Sequence, residues 1–175
     1  MALGRFCSVA GLAACWLVAS VSTGFSAKDS ATSSSGLPVP RYVSLKSDHV
    51  NVRAGPTKDN DVAWVYTRSG LPVEITAEFE NWRRVRDSEG SEGWVYHSLL
   101  SGRRTAVVTM KSKDDLVSIY DRPDQTSAIA ARLQAGVVTQ VKKCANGWCR
   151  VIGTGFDGWI EQQRLWGVYA DEKVE

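Results

Sequence analysis

Val50-Asn51-Val52-Arg53-Ala54-Gly55-Pro56, with its partner Gly93-Trp94-Val95-Tyr96, decides how this chain folds. In the first stretch Val50 and Val52 stand two apart, the spacing of one face of a strand. Gly55-Pro56 ends it, because proline has no amide hydrogen for a sheet ladder and glycine accepts the positive φ of a turn. The second stretch opens on a glycine and is dense in aromatic and β-branched residues, which favour a pleated surface.

Outward from this pair the pattern continues. Tyr42-Val43-Ser44-Leu45 alternates, Val62-Ala63-Trp64-Val65-Tyr66 reads as a strand, and Arg68-Ser69-Gly70 as a turn. Leu71-Pro72-Val73-Glu74-Ile75 and Asn81-Trp82-Arg83-Arg84-Val85-Arg86 are further strands, the latter closed by Asp87-Ser88-Glu89-Gly90. Short strands at near-regular spacing, punctuated by Gly, Asn and Asp, predict an all-β barrel or sandwich.

These landmarks, Val50–Pro56, Gly70, Asn81–Val85 and Gly93–Leu100, resemble the bacterial SH3 domain in their order. The resemblance implies a small SH3-like barrel of about five strands, a fold used for binding and not for chemistry. It also implies that Trp82, which opens a strand, and Tyr96, near the closing motif, line a ligand groove. Trp148 is the matching position in a second unit.

That second unit is an internal duplication. Val50 and Val117 lie 67 positions apart, as do Pro56 and Pro123. Gly70 and Gly136 are separated by 66, as are Trp82 and Trp148, while Gly93-Trp94-Val95 maps onto Gly158-Trp159-Ile160 at 65. A frame that drifts by two residues over five landmarks is a tandem repeat. It departs at Tyr120-Asp121-Arg122, so a role for Arg53 need not carry over. The expected domains are 41–102 and 103–169, with a short acidic, frayed tail over 170–175. Only Ser101 to Arg104 separates the two units, which predicts a nearly fixed relation between them.

The N-terminus has the regions of a secretory signal peptide over 1–27: Arg5, an apolar run from Phe6 to Phe25, and small residues before Lys28. Two other readings stand beside it. About 20 apolar residues can span a bilayer, which allows a retained anchor. Leu12-Ala13-Ala14-Cys15 resembles a lipobox, in which Cys15 would be lipidated, although apolar residues follow it. All three readings place the remainder outside the cytoplasm, periplasmic or secreted, with membrane attachment only in the latter two. Residues 28–40, rich in Ser, Thr, Gly and Pro, read as a disordered linker.

The 21 Lys and Arg nearly balance the 19 Asp and Glu, so composition makes no case for nucleic acid. Cys144 and Cys149 flank Ala145-Asn146-Gly147-Trp148, and Asn-Gly is a strong hairpin signal. The two cysteines are therefore expected to face each other as a disulfide in an oxidising compartment. With His49 and His97 as the only histidines, no metal set is expected. No nucleotide fingerprint is present, and no cofactor is expected. His49, His97 and the acids Glu89, Glu92, Asp114 and Asp115 sit at turns and read as solvated surface, so no enzyme is expected.

Val85 pointing inward sends Trp82, Arg84 and Arg86 outward by alternation. The candidate ligand-binding residues are Trp82, Tyr96, Arg53, Arg84 and Trp148. Flat aromatic faces suit sugar rings and extended peptides, and the arginines suit a carboxylate of a peptide stem. Arg83, Arg84, Arg86, Arg103 and Arg104 form a local basic run, read either as a solvated face or as a contact for an anionic polymer. Peptidoglycan, or a cell-envelope protein offering an extended segment, is the expected partner.

Overall fold

Alternation of Val, Ile and Leu with polar residues becomes strand throughout the computed structural model, which describes residues 33–109 and 116–175. The segment over 1–27, Met110 of the second unit's expected first strand, and Asp114 and Asp115 lie outside those residues. The first unit comprises β1 (Arg41–Leu45), β2 (Val50–Arg53), β3 (Val62–Tyr66), β4 (Pro72–Phe79), β5 (Trp82–Arg86), β6 (Glu92–Tyr96) and β7 (Leu100–Ser101). The second comprises β8 (Thr105–Val108), β9 (Val117–Tyr120), β10 (Ile129–Leu133), β11 (Val138–Ala145), β12 (Trp148–Gly153), β13 (Phe156–Glu161) and β14 (Leu165–Trp166). A 3-10 turn, His97–Leu99 or Gln162–Arg164, precedes the last strand of each.

The sheets run β3-β2-β6-β5-β4-β1-β7 and β10-β9-β13-β12-β11-β8-β14, the same permutation twice. Each has seven strands; a two-residue strand supplements the expected set and pairs along the first strand of the unit. Even the bulges repeat: the β4–β5 register slips between Ile75 and Ala77, and β11–β12 slips between Val141 and Lys143. Among the described residues no helix is long and apolar enough to cross a membrane.

Each barrel has its own core. Leu45, Val50, Val52, Val73, Ile75, Val85 and Val95 fill the first. Val117, Ile119, Val141, Val151 and Ile160 stand at the corresponding places in the second, joined by the two cysteines. The glycine that opens β6 is required by the close crossing of β2: a Cβ on Gly93 would collide with the Val52 side chain. Gly158 meets the same constraint, with the Tyr120 carbonyl oxygen 2.9 Å from where its Cβ would be.

The disulfide joins Cys144 and Cys149, whose Cα atoms are 4.1 Å apart across the β11–β12 hairpin. Asn146 (φ 53°) and Gly147 (φ 78°) form its two-residue turn, where both positions need a left-handed backbone. Cys144 exchanges its backbone hydrogen bonds with Val174, which leaves the cysteine pair on the non-hydrogen-bonded side, where opposed Cα atoms approach closest. In the first barrel the same two positions are Glu78 and Arg83, also cross-strand partners, linked by an ion pair of 3.0 Å. One copy closes its hairpin with a covalent bond and the other with opposite charges.

Both chain arms are more ordered than composition predicts. Residues 33–40, expected within a disordered linker, are tied to the Glu78 carboxylate. Ser35 donates to it from its amide and hydroxyl at 2.8 Å each, Ser34 from its hydroxyl at 3.2 Å, and Arg41 pairs with it at 2.6 Å. Low hydrophobicity failed as a guide here because a carboxylate, not an apolar contact, holds the segment. The acidic tail over 170–175, expected to fray, is docked too. Gln162 donates to the carbonyls of Tyr169 and Glu172, Arg104 pairs with Glu172 at 2.7 Å, and Val174 packs on the second core.

Aromatic contacts join the barrels. Tyr42 of β1 meets Trp166 edge-on at 5.1 Å and Tyr169 at 4.6 Å between ring centroids. The Tyr169 hydroxyl donates to Glu74 Oε1 at 2.9 Å, and Glu74 also binds Arg86. Burial and the neighbouring Glu74 charge push the Tyr42 phenol up to about 12. The same causes, with the hydrogen bond to Glu74 added, raise Tyr169 further. Arg68 Nη1 donates to the Gly136 carbonyl at 3.0 Å, a second link.

Candidate ligand groove

The outer face of β2, β6 and β5 carries the side chains that alternation sends away from Val52, Val95 and Val85. Trp82 lies opposite Tyr96, and Trp94 lies opposite both Arg53 and Arg84. Trp82 and Tyr96 form an edge-to-face pair, with centroids 5.5 Å apart and planes at 82°, the arrangement that aromatic quadrupoles favour. With Asn51, Arg53, Lys58 and Leu99 they line a shallow groove of about 180 Å³. Trp82 is only 8% exposed, so the same ring serves both packing and groove.

Three of the five candidates, Trp82, Tyr96 and Arg53, therefore converge. Arg53 is steadied by a hydrogen bond from Nη1 to the Asn60 carbonyl at 2.6 Å, which leaves its other guanidinium hydrogens available. Arg84 is not among the lining residues. It sits one cross-strand pair further along β5, a step of about 6.5 Å, and is paired with Glu92 at 2.6 Å. Its counterpart in the second barrel, Arg150, is paired with Asp157 at 2.8 Å, so the cross-strand ion pair recurs in both copies. The basic run seen in the sequence is likewise dispersed: Arg83, Arg86 and Arg104 meet Glu78, Glu74 and Glu172.

Trp148 stands apart. Its edge-on partner is Tyr120, at 5.8 Å and 82°, and it lines a separate cleft of about 370 Å³ between the Asn146-Gly147 turn and Val168–Asp171. Asn51, Lys58 and Leu99 are lining residues that sequence reasoning missed. Asn51 was within reach, since it shares the parity of Arg53 on β2; Lys58 belongs to a loop whose return path no periodicity reports.

A model of the family described as "Bacterial SH3 domain" matches residues 46–102 and 113–167. The chain belongs to the bacterial SH3 domain family. It carries two tandem copies of that domain. No curated protein matches the chain. Among solved structures, NlpC2 from Trichomonas vaginalis is similar at 16% identity over 73% of this chain and 48% of that one, with a TM-score of 0.33. An NlpC/P60 family protein from Bacillus cereus is similar at 12% identity over 71% and 55%, with a TM-score of 0.29. The endolysin LysPBC5 CBD is similar at 18% identity over 72% and 91%, with a TM-score of 0.30. The chain thus spans about half the length of the NlpC-type proteins it matches.

Proposed function

We propose that this bacterial SH3 protein is a non-catalytic binding module of the cell envelope, periplasmic or secreted, that recognises peptidoglycan or its peptide stems. The observation that carries the reading is the open groove where the Trp82–Tyr96 pair meets Arg53. Such a surface offers broad, rigid contact to a sugar ring or extended peptide, with little side-chain entropy to lose. A charged fork beside it suits a carboxylate. Family membership supports a binding role over a catalytic one, and the signal-like residues 1–27 support export.

Cosedimentation of the purified protein with insoluble peptidoglycan tests the reading. Wild type is expected in the pellet, and Trp82→Ala in the supernatant with its fold intact by circular dichroism. Failure of wild type to pellet at low and moderate salt would refute the wall ligand and favour an envelope protein with an extended segment as the partner.

A further inference from the structure

We infer that the two barrels are unequal receptors: the first groove binds a carboxylate-bearing ligand through Arg53 and Lys58, and the second has replaced that site with an internal network, so each chain takes one such ligand. This rests on the reading of the first groove as the ligand site.

The duplication makes the comparison direct. At the repeat offset, Arg53, Lys58, Tyr96 and Leu99 become Tyr120, Gln125, Glu161 and Arg164. These replacements line the corresponding depression in the second barrel, a pocket of about 300 Å³. The changes interlock: Gln125 donates to Glu161, and Arg164 Nε lies 3.4 Å from the same carboxylate. The polar groups at this place therefore satisfy one another. An anionic ligand would meet the Glu161 charge where the first barrel offers an aromatic ring. The tyrosine that lies edge-on to the tryptophan has moved as well, from β6 in the first copy to β9 in the second.

The first groove has the opposite balance. Arg84 and Arg86 on the same face are each paired with a carboxylate. Among the described residues, none lies within ion-pair distance of Arg53 or Lys58. Two unneutralised cations beside an aromatic pair, with no acid lining the groove, select a ligand that brings its own negative charge.

Calorimetric titration of the purified protein tests this, using a soluble muropeptide with free carboxylates and the same peptide with its carboxylates converted to carboxamides. One site per chain is expected, with the amidated peptide weaker by about tenfold or more, the worth of a hydrogen-bonded charge. Lys58→Ala, at an exposed loop position, and Arg53→Gln are each expected to weaken the acidic peptide several-fold; Glu161→Ala leaves its affinity unchanged. Two sites per chain, equal affinity for both peptides, or loss of binding in Trp148→Ala while Lys58→Ala is silent would overturn the inference and leave a wall-binding protein. Absence of binding by either peptide, together with no cosedimentation, would instead overturn the reading on which it rests.

Discussion

Replacing Glu78 by glutamine probes the anchor of the N-terminal arm. The Glu78 side chain is 0% exposed and gathers Arg41, Arg83 and donors from Ser34 and Ser35 around one carboxylate. Burial alone would push this carboxyl up, but the hydrogen bonds from Arg41 and Ser35 outweigh it and hold it down at about 2, against an ordinary 4.5. Linkage converts a displacement of that size into about 3 kcal/mol, which solvent screening near the surface reduces to about 2 kcal/mol. Breaking a buried ion pair from one side costs about 3–5 kcal/mol. Arg41 and Arg83 keep 17% and 10% of their side-chain exposure, and partial hydration of the orphaned guanidinium groups lowers that cost toward the same value. Because the folded carboxyl is the stronger acid, its contribution is complete above about 4.5 and fades as pH falls toward about 2. Urea unfolding followed by tryptophan fluorescence should show Glu78→Gln less stable by about 2 kcal/mol at neutral pH, with the gap closing toward pH 2. A neutral-pH loss below about 0.5 kcal/mol, the level of an ordinary surface change, would refute the reasoning. So would a gap that does not change with acidification.

Two other substitutions probe the remaining links. Cys144→Ala with Cys149→Ala should lower stability by about 2 kcal/mol, the chain-entropy value for a loop this short; thermal unfolding with and without reductant checks it, and reductant should leave the double variant unmoved. Tyr169→Phe removes the hydroxyl that donates to Glu74 and should cost about 1–2 kcal/mol, as for hydrogen bonds to charged groups. Amide exchange should report it as faster opening over residues 166–174, with the first barrel's core unaffected.

Much of the fold was legible because its causes are local. Alternation at Val50–Val52 and Val73–Ile75, with the glycines of the Gly-Trp strands, specified both faces of the sheet before any contact was known. The repeat offset carried the topology from one copy to the other. The site was only half legible, for a geometric reason: parity placed Trp82 and Arg84 on one face, but it says nothing about position along that face, and the groove ends before Arg84. Parity also sent Arg83 inward without a reason for a buried cation; the reason is Glu78, five residues away across a hairpin. The arms were misread because composition measures apolar burial, and these segments are held by polar bonds.

The stack of Tyr42, Trp166 and Tyr169 bears on how pulling would act on the molecule. Two beads on a slack string would swivel independently under load and average their headings. Clamped across this aromatic hinge point, the pair instead behaves as one stiff lever with a single grip. On that view the second barrel keeps its place in the chain as ballast that aims the first.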